Sequence, residues 1–264
     1  DAMPAIRRLC CVTAAVALVA MTTATTAAPR KLQRIRTVVL DPGHGGENLG
    51  APSVPGIFEK ELTLELALLV ERHLNELCDA RVELTRRDDR YVGLRERIRF
   101  ANQVGASVFL SLHFNAEPGR FARGVETYFL DAEASDEEAA RLVARENERL
   151  EAEELPLVAG TERDEARAVA LMKKDMALHA AHVGSAPLAE AVLRRLLSAL
   201  GTPSRGVKQA PFAVLTEAEC PAIVVEVGFL SHPAESYELI QPETLDRAAR
   251  AIALAVLDFD RAQR

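Results

Sequence analysis

The sequence predicts a single α/β domain with a mostly parallel, twisted sheet of about six strands, flanked by helices and carrying a helical insertion. Short runs rich in β-branched residues alternate with longer segments in which apolar residues recur every three to four positions. The chain has 264 residues, 48% of them hydrophobic, which is enough to bury one sizeable core. Charged residues make up 27% and are mixed in sign, so a disordered chain is excluded.

Six strands are predicted from short apolar runs, in the order residues 36–40, 81–85, 107–112, 124–129, 212–215 and 222–227. Four helices are predicted from the three-to-four spacing of apolar residues, at residues 60–77, 94–103, 187–200 and 243–259. Strands that alternate with helices in this way are typical of parallel sheets joined by helical crossovers.

The first 28 residues have the order of a secretory signal peptide and are set apart from the domain at 29–264. Arg7 and Arg8 precede an apolar run of 13 residues, and a stretch of small residues follows. This run is shorter than the roughly 20 residues that span a bilayer, so we expect export to the periplasm or the outside rather than a stable membrane anchor. In that oxidising space Cys78 and Cys220 either pair or pack separately.

Residues 131–183 interrupt the alternation with charged, helical sequence. A capping-box pattern predicts one helix from about 135 to 154, and a second helix start is predicted at 161–164. The segment contains 14 acidic and 7 basic side chains, and this excess equals the net charge of −7 of the whole chain. The acidity therefore indicates a solvated, displaceable insertion with a basic partner, and the remaining neutral chain does not favour nucleic acid.

Three side chains that can bind metals lie beside predicted strand ends or helix starts. His44 lies in Asp-Pro-Gly-His-Gly-Gly (residues 41–46) after the first strand, and His113 follows the third strand in the same way. Glu59 precedes the first helix. Alone, each histidine is a hydrogen-bonded structural residue or part of a plain turn, and Glu59 is a favourable helix-start carboxylate. Together, they form a His₂Glu set, a usual shell for a catalytic zinc that keeps one position open.

Glu226 ends the most apolar predicted strand and is the candidate general base. A carboxylate in such surroundings is costly unless it is paired or functional, and burial raises its pKa toward a useful range. The alternative is a structural glutamate paired with an arginine such as Arg97.

Seven motifs in this order resemble the zinc-dependent N-acetylmuramoyl-L-alanine amidases of the amidase_3 type, over about residues 36–259. They lie at residues 41–46, 59–60, 84–86, 94–97, 111–116, 205–210 and 225–231. The resemblance implies hydrolysis of the amide bond between N-acetylmuramic acid and L-alanine in peptidoglycan. It also implies one catalytic zinc held by His44, Glu59 and His113, with Glu226 as the catalytic glutamate. A zinc peptidase acting on the stem peptide, and a silent wall-binding module, remain as alternatives.

The insertion resembles that of the subgroup acting in cell separation, in which a helix blocks the zinc site until an activator protein displaces it. On the first inserted helix, Glu146 fills a gap in an apolar stripe formed by Ala139, Leu142, Val143 and Leu150. We therefore expect Glu146 either to occupy the fourth zinc position at rest or to form a salt bridge with Arg149 or Arg86.

Overall fold

The computed structural model describes residues 29–148 and 165–263, without the side chains of residues 165–180. The expected signal peptide at 1–28 and the expected helix start at 161–164 lie outside the described residues. None of the described helices is long and apolar enough to cross a membrane.

Six strands form one mixed sheet, as the sequence predicts. They are β1 (Thr37–Pro42), β2 (Arg81–Leu84), β3 (Val108–Asn115), β4 (Val125–Leu130), β5 (Ser204–Ala210) and β6 (Ala222–Phe229), in the spatial order β2-β1-β3-β6-β4-β5. All neighbouring pairs are parallel except β4 with β6. The sheet is therefore mostly parallel, with one antiparallel pairing next to its edge.

Helices cover both faces of this sheet. They are α1 (Glu59–Leu77), α2 (Leu94–Gln103), α3 (Glu137–Glu146), α4 (Glu165–Leu200), α5 (Pro233–Leu239) and α6 (Pro242–Ala262), with a short 3₁₀ helix at Ala213–Leu215. Alternate residues of each strand point to opposite faces. Val38 and Leu40 belong to the core under α1, α4 and α6, whereas Val39 belongs to the core shared with α2, α3 and the 3₁₀ helix.

The second face becomes polar where its parallel strands end. Asp41, Ser111 and Glu226 each follow a core residue of this face by two positions, and His113 follows Ser111 by two. All four are buried. Polar groups from β1, β3 and β6 are thereby collected at the carboxyl edge of the sheet, where open α/β sheets bind ligands.

The predicted strand at residues 212–215 is wrong. These residues include the 3₁₀ helix Ala213–Leu215, and the edge strand β5 lies before them at Ser204–Ala210. Their apolar side chains fill the core beside α2, which is why the run looked like a strand. The true edge strand contains Gly206 and several polar residues, so its sequence has no strand-like pattern.

Helix boundaries differ from expectation at two places. The helix predicted to begin at Pro187 is the last part of α4, which contains Pro187 in its interior. Proline at the first turn of a helix is common, and this favoured the wrong boundary. Of the helix predicted over 135–154, α3 spans Glu137–Glu146, and residues 149–154 lie outside the described residues. After α3, the Asn147 side chain donates to the Pro211 carbonyl and accepts from the Ala213 N–H.

The two described cysteines are separate. Cys78 and Cys220 are buried free thiols and belong to the cores on opposite faces of the sheet. Of the two arrangements left open by the sequence, separate packing is the one present.

Candidate metal centre

His44 lies in the turn after β1, which is called the His44 turn below (residues 42–48). Its φ of +61° is in the left-handed region, which is unusual for a non-glycine residue. A Cβ at Gly43 would lie 2.3 Å from the His113 ring, so only glycine allows the turn to approach β3 this closely. Asn48 Oδ1 lies 3.1 Å from His44 Nδ1 and orients the ring, which leaves Nε2 as the atom available to a metal.

Glu59 is the first residue of α1, and two backbone N–H groups orient its carboxylate. Oε2 accepts from Ala51 at 2.9 Å, and Oε1 accepts from Phe114 at 3.0 Å. His113 immediately precedes Phe114 in β3, so one strand segment supplies a ligand candidate and also orients a second one.

The structure brings the three predicted metal ligands together in a buried group, called the metal cluster below (His44, Glu59 and His113). Glu59 Oε1 lies 2.9 Å from His44 Nε2 and 3.2 Å from His113 Nδ1. The three candidate ligand atoms all lie within 4.8 Å of one another. Ligands of a tetrahedral zinc, with bonds of roughly 2.0–2.2 Å, are about 3.4 Å apart, so this spacing suits such an ion.

The electrostatics of the metal cluster favour a positive charge. Burial opposes protonation of His44, but the Glu59 carboxylate, with further contributions from Glu146 and Asn48, outweighs burial and raises the pKa of His44 to about 9. Burial also opposes ionisation of Glu59, yet the two imidazoles hold its pKa well below the ordinary range. His44 Nε2 has no hydrogen bond of acceptable geometry to any described residue. An ionised carboxylate, two imidazoles and an unsatisfied ring nitrogen fit a divalent cation of borderline softness.

Glu226 lies beside the metal cluster on β6, where it is in register with His113 of β3. Its side chain is fully buried, and neither carboxylate oxygen has a hydrogen-bond partner among the described residues. Burial raises its pKa well above the ordinary value, with further contributions from Glu59 and Glu146. A cation bound by the metal cluster would lower the pKa of Glu226. The suggested ion pair with Arg97 is absent here, because Arg97 bonds Asp41 and backbone carbonyls instead.

Glu146, at the last turn of α3, reaches the same centre. Its Oε2 lies 3.5 Å from His113 Nδ1 and 3.7 Å from His44 Nε2. Its Oε1 lies 3.2 Å from Nε of the neighbouring Arg145. Of the two salt-bridge partners expected from the sequence, Arg86 bonds backbone groups, and Arg149 lies outside the described residues.

A cleft of about 450 Å³ opens beside the cluster and is lined on one side by His44 and Asn48 and on the other by Arg145 and Glu146. This volume is within the range of small-molecule sites. The same α3 residues that approach the metal cluster therefore form a wall of the route to it.

Sequence reasoning missed several polar residues that shape the centre. From the sequence, Arg86 and Arg97 are motif positions and possible partners of Glu146 and Glu226, whereas the structure shows that both bond the His44 turn. Arg145 donates to the Ala116 carbonyl at 2.7 Å. No periodic pattern marks such contacts, because they join residues far apart in the chain.

Comparisons with known proteins point to one enzyme family. A family model described as N-acetylmuramoyl-L-alanine amidase (Amidase_3) matches residues 38–258. The amidase AmiC of Neisseria meningitidis is 33% identical over 220 residues, covering 83% of this chain and 51% of that protein. The amidase AmiA of Escherichia coli is 30% identical over 225 residues, covering 85% of this chain and 76% of that protein. This chain thus spans about half the length of the first relative and three quarters of the second.

Two solved structures have a similar fold. The catalytic domain of the amidase CwlV from Bacillus (Paenibacillus) polymyxa has a TM-score of 0.64 at 25% identity, covering 85% of this chain and 98% of that one. An N-acetylmuramoyl-L-alanine amidase from Clostridium difficile 630 has a TM-score of 0.64 at 28% identity, covering 88% of this chain and 100% of that one.

Proposed function

Because the chain belongs to the N-acetylmuramoyl-L-alanine amidase family, we propose that it is an exported, zinc-dependent hydrolase of the amide between N-acetylmuramic acid and L-alanine in peptidoglycan. The observation that carries this proposal is the buried metal cluster next to an unpartnered, fully buried Glu226. A cofactor site and an adjacent proton acceptor are the two parts that metal-assisted amide hydrolysis requires.

His44, Glu59 and His113 are the residues that would hold the zinc. When bound, zinc supplies Lewis-acid chemistry, since it polarises an amide carbonyl and makes water a stronger acid. The Asn48 contact to His44 and the backbone N–H groups bonded to Glu59 keep these ligands oriented.

Glu226 is proposed to move the proton. Its carboxylate accepts a proton from the attacking water and delivers it to the nitrogen of L-alanine as the amide bond breaks. Glu59 and Glu226 are both buried, but their pKa values are shifted in opposite directions. This separation fits one carboxylate that stays ionised as a ligand and one that exchanges a proton during the reaction.

The Glu226→Gln variant tests this assignment. It keeps the shape of the side chain and removes its basicity, so we expect full zinc content and a loss of wall hydrolysis of about 10²–10⁴-fold. Dye release from purified peptidoglycan and metal analysis provide the two readouts. Glu238→Gln, at an exposed position of α5, is the matched control. Normal hydrolysis by Glu226→Gln would remove Glu226 from the catalytic role.

Product analysis separates the amidase from a peptidase of the stem peptide. Digestion by the wild-type protein should release peptides that begin with L-alanine and leave unsubstituted N-acetylmuramic acid in the glycan. Free amino groups that appear only within the stem peptide would instead identify a peptidase.

We further propose that α3 inhibits the enzyme at rest and that Glu146 occupies the fourth position of the zinc. The distances of 3.5 and 3.7 Å from Glu146 Oε2 to the two histidines support this role, since they are close to a tetrahedral edge. A carboxylate at the C-terminal end of a helix is also unfavourable for the helix dipole. A cation near Glu146 would offset this unfavourable interaction with the helix dipole.

We propose that the partner is an activator protein with a basic surface, and that the enzyme acts in the separation of daughter cells. The acidic residues at 131–183 would recognise such a surface, and displacement of α3 would open the cleft beside His44. Mixing the protein with its activator should raise wall hydrolysis and increase hydrogen exchange of α3. An activator that raises hydrolysis while α3 stays protected would contradict displacement.

A further inference from the structure

Two buried guanidinium groups hold the carbonyls of the His44 turn. The Pro42 carbonyl accepts from Arg86 at 3.0 Å and from Arg97 at 2.7 Å. The Gly43 carbonyl accepts from Arg86 at 2.8 Å, and the His44 carbonyl accepts from Arg97 at 2.8 Å. Three successive peptide units are thereby bonded to two side chains that are far away in sequence.

Arg86 also contacts the backbone beside Glu59. It donates to the Lys60 carbonyl at 2.8 Å, one residue after Glu59 at the start of α1. Thr63 contributes to the same network, because its hydroxyl donates to the Gly43 carbonyl at 2.9 Å and accepts from Arg86 at 3.0 Å. One guanidinium group therefore connects the backbone segments that carry two of the three metal-cluster residues.

The charges of these arginines are only partly compensated. Arg97 pairs with Asp41 at 2.8 Å, and Asp41 accepts further hydrogen bonds from Thr85 and Ser111. Arg86 is fully buried, and its hydrogen bonds go to backbone carbonyls and the Thr63 hydroxyl rather than to a carboxylate. Burying such a charge is costly unless its donors are satisfied, and here backbone carbonyls satisfy them. A lysine could not replace this arrangement, since its ammonium lacks the planar fork of five donors.

The His44 turn needs such support because its conformation is strained. His44 is a non-glycine residue in the left-handed region. Conformations of this kind persist where the surrounding structure over-determines them. The two guanidinium groups are bonded to the peptide units on both sides of His44, so they are placed to maintain this conformation.

We propose that Arg86 and Arg97 are positioning residues that preorganise His44 and Glu59 for metal binding. The inference rests on the proposed function only in taking the metal cluster as a zinc site. Neither guanidinium group needs to touch the substrate in this role. Their contribution is to fix the backbone from which His44 and Glu59 project. Residues that hydrogen-bond to metal ligands, or to the backbone that carries them, commonly orient the ligands in this way.

Zinc titration of the metal-free full chain tests the proposal. In competition with a coloured chelator, Arg86→Lys and Arg97→Lys should bind zinc about 10–100-fold more weakly than the wild type. The visible absorption of the cobalt-substituted protein should also shift, because it reports ligand geometry. Arg87→Lys is the matched control, since Arg87 follows Arg86 directly but forms an exposed ion pair with Glu71. This control should keep both the zinc affinity and the cobalt spectrum.

A purely structural role predicts a different result. In that case the lysine variants would have a lower unfolding temperature without metal, but wild-type zinc affinity and cobalt spectrum, and the proposal would be overturned. If they do not fold, Thr63→Val removes one hydroxyl of the network at nearly constant volume, and a smaller loss of zinc affinity is expected. Unchanged affinity in Thr63→Val would also overturn the proposal. A wild-type protein that binds no zinc would instead refute the proposed function.

Discussion

The His44 turn and helix α3 both reach the metal cluster, but the two regions are held in different ways. The turn is bonded by Arg86 and Arg97, whose side chains are buried. Helix α3 is held near its start by Asp136 and Glu138, whose side chains are 43% and 46% exposed. The metal cluster is therefore contacted by one region that is fixed within the core and by another that lies on the surface of the core.

The free energies that hold the His44 turn and α3 in place also differ. Asp136 and Glu138 form ion pairs with Lys208, and Glu138 also pairs with Arg205. Partly exposed pairs of this kind contribute about 0–1 kcal/mol each. A ten-residue helix is not stable by itself in water, so α3 depends on these pairs and on its buried apolar residues. Loss of these ion pairs costs little, but displacement of α3 would also expose Leu142 and Val143, at roughly 1.5–3 kcal/mol for each side chain. An activator that displaces α3 would have to supply this free energy on binding.

Removing a metal-cluster residue that projects from the sheet should have the largest effect. We expect His113→Ala to lose bound zinc and to lower wall hydrolysis by roughly 10³-fold or more, because several kcal/mol of Lewis-acid stabilisation are lost. Metal content and dye release are the measurements. His182→Ala, at an exposed position of α4, is the control. A His113→Ala variant with normal zinc content and activity would exclude this cluster as the metal site.

Removing the contact of Glu146 in α3 with the metal cluster should have a smaller effect, and it should raise the rate of hydrolysis rather than lower it. We expect Glu146→Ala to raise hydrolysis without an activator by about 10–100-fold, the range of a coupling free energy of roughly 1–3 kcal/mol. The dye-release rate before and after addition of an activator measures this change. Glu137→Ala is the matched control on the same helix, because the Glu137 side chain is 96% exposed. Equal basal rates in Glu146→Ala and wild type would contradict self-inhibition.

The parts of the structure that the sequence predicts are those marked by local sequence patterns. The alternation of strands and helices predicts the sheet, and the ends of the predicted strands indicate His44 and His113. These signals are local, since each depends on a short run of apolar residues followed by a polar one. Glu146 was found in the same way, as a polar interruption of an apolar stripe on a single helix.

Long-range contacts left no such signal. The edge strand β5 pairs with β4 alone, so polar residues and Gly206 are tolerated there and the apolar pattern is lost. Arg86 and Arg97 belong to recognisable motifs, yet the carbonyls of the His44 turn that they bond are more than 40 residues away. Local propensity carries no information about which backbone a buried arginine will bond.

The smallest expected effect concerns the ion pairs that attach α3. Glu138→Ala removes its contacts with Arg205 and Lys208, and should raise basal hydrolysis by about 2–5-fold, since a partly exposed pair contributes up to about 1 kcal/mol. Raised salt should have a similar effect on the wild type and a smaller effect on the variant, because salt screens the same pairs and the variant keeps only the pair between Asp136 and Lys208. Hydrogen exchange of α3 provides a second readout, and it should increase both in Glu138→Ala and in the wild type at raised salt. If basal activity rises while α3 remains as protected as in the wild type, the ion pairs act on the metal cluster by a route other than release of the helix.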